Sequence, residues 1–241
     1  MRGIPSIVPL LGAVLVACCG TEEPAPAPTG AVAIRFSGPP AEGGTFVSGE
    51  GDTLRLSSVA IPSEPWILMV RSQAGDSAAV RVDARTLAPL ESYRRHRTDD
   101  GDTLVATIDY GAGFEGQARL ILARGASRSA DNLRTPEPYL DATQIPLTLA
   151  ALDYSMTPDT VSFNYVSPFE QRAVAARLML GSFETLRASG AAVPARQVRV
   201  EVKGLAEVYW YDPVGRLLRI EEPTRGRVWT RLPDDGGAPA P

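Results

Sequence analysis

The 241-residue sequence contains one histidine, one lysine and only two cysteines, which are the adjacent residues Cys18 and Cys19. A zinc site built from several histidine or cysteine ligands is therefore excluded. Adjacent cysteines also provide no pair that could cross-link distant parts of a domain, so the fold must be stable through its apolar core. We expect neither a metal ion nor a cofactor.

The sequence also lacks an apolar run long enough to span a bilayer, which needs about 20 residues. The apolar stretch Ile4–Ala17 follows Arg2 and ends in Leu15-Val16-Ala17-Cys18. A short positive start, an apolar middle and a small residue before the cut are typical of a signal peptide. The last four residues match a bacterial lipobox, so we expect residues 1–17 to be removed and Cys18 to be lipidated. A membrane-spanning anchor and a secretory signal cut after Ala17 are the alternatives.

Two segments next to the expected domain have compositions that oppose folding. Thr21–Gly30 alternates proline and alanine, which favours an extended chain, so residues 18–30 are predicted to be a spacer. Residues 233–241 contain three prolines, two glycines and two aspartates and are predicted to be a disordered tail. Residues 31–232 remain as one domain. Without Arg2 the chain has 23 basic and 28 acidic residues, so we expect no nucleic-acid partner.

Apolar and polar residues alternate along most of the expected domain, which is typical of half-buried strands. The alternation is clear in Ala79–Asp83, Val198–Val202 and Leu218–Glu221, and in Ala173–Leu180, where Leu178 and Leu180 share a face. Trp66–Val70 is apolar throughout and predicts a central strand that is buried on both faces.

Turn signals separate these strands. Gly-Asp-Ser/Thr occurs at residues 51–53, 75–77 and 101–103, and each copy predicts a hairpin turn within an antiparallel meander from about residue 31 to residue 123. Asp212-Pro213-Val214-Gly215 predicts a further turn, which follows a strand with Tyr209 and Tyr211 on one face and Val208 and Trp210 on the other.

The segment Ser127–Leu152 is interrupted by three prolines and predicts a connection between two halves of the sheet. A short helix with Pro146 in its first turn is expected there, capped by Asp141 or Thr143. We therefore predict an all-β domain, an antiparallel curved sheet or open β-barrel with one short helical connection.

Weak motifs for catalysis or ligand binding occur, and each is better interpreted as a turn. A serine hydrolase would have to use Ser77 with His96, which lies in an arginine-rich strand. Asp99–Asp102 resembles the start of a calcium loop, but the position that needs glutamate is Tyr110. Gly111–Gly116 matches G-x-G-x-x-G without a surrounding βαβ unit, so a dinucleotide site is not expected.

Two other options stay open. A carboxylate pair for glycosidase-type hydrolysis is compatible with 28 acidic residues, although the sequence nominates no particular pair. Five arginines lie close together in the sequence, and acidic residues lie among them. This pattern favours a solvated sheet face, and a surface that binds anionic lipid headgroups is the alternative. The arginines are Arg81, Arg85, Arg94, Arg95 and Arg97.

Two segments of the sequence have recognisable motifs. Asp83–Tyr93 contains a Thr-Leu-x-Pro step, and Ala206–Glu221 contains Tyr-Trp-Tyr-Asp followed by Leu-x-Arg-x-Glu. With these motifs the chain resembles an uncharacterised family of β-rich bacterial envelope proteins, over roughly residues 75–232. The family implies no catalytic residues. At the level of the fold it is similar to the half-barrels of lipoprotein-sorting carriers, which bind acyl chains against a curved sheet; that step is analogy.

These patterns together predict a lipid-anchored envelope protein that faces the periplasm or the exterior and acts as a non-enzymatic binding or scaffolding module. The expected partners are the membrane, other envelope proteins and a lipid or apolar ligand. Apolar strands would line the ligand site. The residues proposed for this lining are Trp66, Leu68, Val70, Leu178, Leu180 and Trp210. A carboxylate-dependent hydrolase of the envelope is the alternative.

The lipid anchor is tested by Cys18→Ala. Because this change removes the residue that is expected to be acylated, we expect the protein to leave the membrane fraction of fractionated cells, whereas Cys19→Ala should stay bound. A Cys18→Ala protein that still sediments with membranes would show that the lipobox assignment is wrong.

Overall fold

The computed structural model describes residues 34–98, 100–112, 116–188 and 191–233. The expected signal peptide, the lipidation site Cys18, the spacer and residues 234–241 lie outside the described residues. Within the described part, no helix is long and apolar enough to cross a membrane.

The described residues form one 15-stranded sheet, and the prediction of an all-β fold is confirmed. The strands are β1 (Gly43–Ser48), β2 (Thr53–Ala60), β3 (Trp66–Gln73), β4 (Asp76–Asp83), β5 (Pro89–Arg97), β6 (Thr103–Asp109), β7 (Gln117–Arg124), β8 (Ser127–Arg134), β9 (Tyr139–Asp141), β10 (Thr160–Ser167), β11 (Arg172–Ala188), β12 (Ala191–Val202), β13 (Leu205–Tyr211), β14 (Leu217–Glu222) and β15 (Arg227–Arg231).

The strand order runs from β8 down to β1, then from β15 down to β9. Neighbouring strands are antiparallel except for β9 and β10, which are parallel. The strands β8 and β9 form the two edges, so the sheet is open. The pairing of β1 with β15 joins the two halves of the sheet.

The sheet curves around a single large core. Met69 and Val80 come from one half of the strand order, and Leu178 and Tyr209 come from the other half, yet all four belong to one buried cluster. A flat sheet would keep these strands far apart, so the two halves must face each other. A second cluster joins Ile108 and the other buried residues of β6–β8 to Val166 of β10 near the open edges.

A short helix fills the concave side of the sheet. α1 (Ile145–Thr148) continues into a 3₁₀ turn, Leu149–Ala151, and Leu147 and Leu149 are fully buried. Proline in the first turn is compatible with this start, as predicted. The predicted caps are wrong: the N-cap residue is Gln144, whose side-chain amide donates to the carbonyl oxygen of Leu87 at 2.9 Å.

Two sequence predictions about strands are corrected. Residues 127–134 form β8 instead of a connection, because an edge strand with nearly every side chain exposed carries no apolar alternation. The strand β3 is not buried on both faces: Ile67 and Met69 enter the core, whereas Trp66, Leu68 and Val70 are only half-buried on the outer face. Among the described residues, no second layer of secondary structure lies over the outer face at this position.

The predicted turns are confirmed. Gly51, Gly75 and Gly101 have φ values of +89°, +73° and +86°, and they lie in the β1–β2, β3–β4 and β5–β6 hairpins. In the β13–β14 hairpin the Gly215 N–H donates to the carbonyl oxygen of Asp212 at 3.0 Å. Tyr209 and Tyr211 enter the main core, while Val208 and Trp210 pack on the opposite face, as predicted.

The helix in the core gives a stability prediction. Leu149→Ala removes a fully buried side chain, so we expect the free energy of unfolding in urea to fall by about 2–5 kcal/mol. The matched control is Leu205→Ala, at a side chain that is 49% exposed, and its effect should be well below 1 kcal/mol. Equal losses in the two variants would contradict the role of the helix as a core element.

Candidate functional site

A cleft of about 600 Å³ lies at the end of the curved sheet where β1 begins and β13 ends. We call it the end cleft. Its walls are the N-terminal segment 38–43, the turn 212–216 and side chains that project from β11, β12 and β15. The other lining residues are Ala150, Leu152, Tyr154, Phe183, Arg196, Tyr211 and Arg231.

The N-terminal wall of the end cleft is held by the helical segment. The N–H groups of Ser37 and Ala41 donate to the carbonyl oxygens of Ala151 and Leu147, both at 2.9 Å. Phe36 also forms a β-bridge with Leu152. The chain therefore enters the domain along α1 and passes the mouth of the cleft before it forms β1.

The opposite wall is the 212–216 turn. The carboxylate of Asp212 accepts hydrogen bonds from the backbone N–H groups of Val214 and Arg216 at 3.1 and 2.8 Å and from Arg216 Nε at 3.0 Å. These bonds fix the turn and leave Val214 84% exposed at its tip. An apolar side chain is thus held in solvent at the rim of the cleft.

A stacked arginine lies on the third side. The guanidinium of Arg196 lies 4.3 Å from the ring centroid of Tyr154 and 4.5 Å from that of Phe183. Burial raises the pKa of Tyr154 to about 12, so its hydroxyl stays protonated and donates to the carbonyl oxygen of Leu149 at 3.0 Å. Tyr154 is thereby fixed on the helix, and its ring supports the arginine.

A β-bulge places Phe183 over this arginine. The register of β11 against β12 shifts between Leu180 and Phe183, and a bulge redirects the side chains that follow it. Gly181 is required there, because a Cβ atom would lie 2.9 Å from the Cβ of Gln197. Phe183 remains 51% exposed beside the cleft.

The sequence analysis missed Tyr154, Phe183 and Arg196. The available signal was Gly181, since a glycine inside a strand pattern indicates a bulge or a close backbone approach. The stacking partners could not be found from sequence, because Phe183 faces Arg196 only after the register of β11 against β12 shifts, and Tyr154 reaches them from the loop before β10.

The six residues predicted to line a ligand site do not share a surface. Leu178 is fully buried in the main core and Leu180 packs against it. Trp66, Leu68 and Val70 lie on the outer face of β3, and Trp210 belongs to a small outer cluster. The prediction that these residues line one ligand site is wrong, because Leu178 and Leu180 point to the core while the others point to the outer face of the sheet.

A second group of charges lies inside the other end of the sheet. Burial lowers the pKa of Arg71, but the negative charges of Glu207 and Glu222 outweigh this effect, so the pKa is raised overall. Tyr209 donates to Glu207, and Trp229 Nε1 donates to Glu222 at 3.1 Å. The adjacent cavity is about 30 Å³, room for one or two water molecules. This group is an internal, charge-compensated network.

The described residues of two weak sequence motifs lie apart or bind other groups, and part of the Gly111–Gly116 motif lies outside the described residues. Ser77 pairs with Arg95 while Asp76 pairs with His96, so Ser77 and His96 project from opposite faces of neighbouring strands. Asp100 and Asp102 bind Arg124, the latter at 3.0 Å. In the described ranges no group of three histidine, cysteine or acidic residues could hold a metal ion.

The arginine cluster is divided by the sheet. Arg94 points inward and pairs with Asp76 at 2.7 Å. Arg81 lies on the outer face, 3.2 Å from Glu91 and over the ring of Trp66. These two arginines have acidic partners and do not share a face, so the five do not form one continuous cationic surface.

A buried carboxyl connects the helix to the sheet. Asp141 accepts hydrogen bonds from the hydroxyl of Tyr110 and the N–H of Thr143, both at 2.7 Å. Burial raises the pKa of this carboxyl, and the hydrogen bonds only partly offset the effect. The hydroxyl of Ser92 is buried nearby without a hydrogen bond of normal geometry.

The raised pKa of Asp141 predicts a pH dependence of stability. Between the unfolded and folded pKa values the native state binds more protons than the unfolded state, so the contribution of Asp141 falls as pH rises through the folded pKa. Asp141→Asn removes this titration. We expect the difference in unfolding free energy between wild type and variant to decline as pH rises from about 4.

The measurement is urea unfolding of both proteins from acidic to neutral pH. Asn fits the site because the hydroxyl of Tyr110 can turn to the free oxygen of Ser92. A flat difference curve for Asp141→Asn would contradict the assignment.

Comparison with known proteins gives no relative for this chain. No protein-family model, no curated protein and no solved structure matches it significantly. The resemblance to a β-rich envelope family therefore stays a prediction, and the functional argument rests on the geometry of the end cleft.

Proposed function

We propose that this chain is a lipid-anchored lipoprotein of the bacterial envelope whose β domain is a non-enzymatic binding module. Its ligand is apolar or amphipathic and occupies the end cleft. The observation that carries the proposal is a cleft of about 600 Å³ bordered by exposed apolar side chains. Small-molecule sites usually have volumes of about 300–1,000 Å³ and a mostly apolar lining with a few placed polar groups.

The apolar rim supports this proposal. Phe183 is 51% exposed and Val214 is 84% exposed, and both line the same cleft. Clustered apolar side chains at a concave surface are typical of binding sites, whereas isolated ones are ordinary. A ligand that covers both residues would remove this apolar surface from water.

The direction of chain entry also supports the proposal. The segment that precedes β1 lies along α1 and forms one wall of the end cleft. A Pro-rich chain from Cys18 to Ile34 spans about 50 Å when extended. A lipid on Cys18 would therefore hold the mouth of the cleft near the membrane surface, where apolar ligands are concentrated.

We propose a ligand site at the end of the sheet instead of on its concave face, because the concave face is packed with side chains of the protein. The concave face is occupied by Leu147 and Leu149, which are fully buried. No observation on the described residues favours the hydrolase alternative: of the two acidic residues in the cleft, Asp212 is bound within its turn and Glu42 is exposed.

Native mass spectrometry tests the proposal. The mature chain carrying Cys18→Ala is exported with an ordinary secretory signal, purified from the periplasm without detergent, and its lipid extract is analysed in parallel. We expect a stoichiometric adduct of lipid mass, because the cleft would retain its ligand during purification.

Two exposed valines provide a matched pair of variants. Val214→Asn removes apolar surface from the cleft and should lower the fraction of protein that carries the adduct several-fold. Val59→Asn, at a residue that is 51% exposed and lies outside the cleft, should leave this fraction unchanged. A clean apo mass for the wild type would overturn the proposal and favour a packed scaffold that binds other envelope proteins.

A further inference from the structure

We infer that the end cleft selects amphiphiles with an anionic group, a carboxylate or phosphate attached to an apolar chain, and that Arg196 binds the anion. The inference rests on the proposed function and deepens it by naming the ligand class. It is carried by the contacts of Arg196 and by the apolar surface beside it.

The guanidinium of Arg196 is held by aromatic rings and not by an acid. Its carbon lies 4.3 Å from the centroid of Tyr154 and 4.5 Å from that of Phe183. Stacking occupies the faces of a guanidinium and leaves its in-plane N–H groups available for an acceptor. An arginine held in this way is oriented before a ligand arrives, so little side-chain entropy is lost on binding.

Arg196 has no carboxylate partner in the part of the chain that the structure describes. Its Nε atom is buried without a hydrogen-bond acceptor. Arg216, in the same cleft, is by contrast bound to Asp212 at 3.0 Å. Partial burial of an unpaired cation is unfavourable, so an anion at this position would satisfy a charge that the protein leaves uncompensated.

The balance of charge in the cleft also favours an anion. Three arginines line it, Arg196, Arg216 and Arg231, against the two acids Glu42 and Asp212. Arg231 donates to the carbonyl oxygen of Gly43 and Arg216 is paired with Asp212. The residues that line the cleft therefore carry one more positive charge than negative charges.

The apolar part of the ligand has its own surface. Phe183 contributes both a ring that stacks on Arg196 and an exposed edge, and Leu152, Pro39 and Val214 continue the apolar lining. The cleft thus places an anion-binding group next to an apolar wall, which is the pattern that an amphiphile with an acidic head would match.

The experiment uses the mature chain with Cys18→Ala, delipidated, in titration calorimetry. Three probes separate the contributions of charge and chain: dodecanoyl lysophosphatidic acid, 1-dodecanoylglycerol with the same chain and no charge, and inorganic phosphate with no chain. All amphiphiles are kept below their critical micelle concentrations.

We expect lysophosphatidic acid to bind at least roughly tenfold more tightly than dodecanoylglycerol, as one or two charge-assisted hydrogen bonds would give. Inorganic phosphate should bind far more weakly than either. Arg196→Gln should reduce the affinity for lysophosphatidic acid to that for dodecanoylglycerol and leave the latter unchanged. Arg55→Gln, at an exposed residue of β2, should change neither affinity.

Circular dichroism and thermal melts establish that Arg196→Gln is folded. If Arg196→Gln is not folded, Arg196→Lys replaces it, because lysine keeps the charge and loses the planar donors. The affinity of Arg196→Lys for lysophosphatidic acid should fall several-fold, and its affinity for dodecanoylglycerol should not change. Equal affinities for the charged and neutral probes, or phosphate binding as tight as that of lysophosphatidic acid, would overturn the inference while the proposed function stands. Absence of binding by both amphiphiles would overturn the proposed function itself.

Discussion

The burial of the short Ile145–Ala151 segment inside the curve of the sheet is the interaction on which the rest of the structure depends. A helical segment of this length is not stable alone, because nucleation is costly and only a few backbone hydrogen bonds follow. The sheet in turn has a concave apolar face that needs a covering. Leu147 and Leu149 are fully buried against that face, and both halves of the sheet contribute residues to the cluster that contains them. Each element is therefore stable only together with the other.

This filled interior determines where a ligand site can exist. Because the concave face is packed by the protein's own side chains, the remaining space lies at the end of the sheet. There the N-terminal segment, hydrogen-bonded to the helix, and the turn fixed by Asp212 form two walls. The bulge at Gly181 then brings Phe183 onto Arg196. The packing of the helical segment in the core thus positions the walls of the end cleft, which has both polar and apolar residues.

Much of the fold could be predicted from local patterns. The glycines of three hairpin turns, the alternation in β11–β14 and Pro146 at the start of the helix act over a few residues, and a sequence shows such signals directly. The predictions failed where burial depends on distant partners. Trp66–Val70 is as apolar as a strand buried on both sides, yet Trp66, Leu68 and Val70 are only half-buried among the described residues. The polar edge strand β8 has no pattern that distinguishes it from a loop.

The sequence by itself determined the all-β class, most of the turns and the expectation of a lipid anchor, because period-two alternation, turn residues and a lipobox are all encoded in adjacent positions. Only the tertiary structure decided which residues form a site. Phe183 and Arg196 meet as register partners of β11 and β12 after the bulge, and Tyr154 reaches them from the loop before β10. The bulge and the position of this loop depend on how the whole sheet packs, so no short stretch of sequence specifies them.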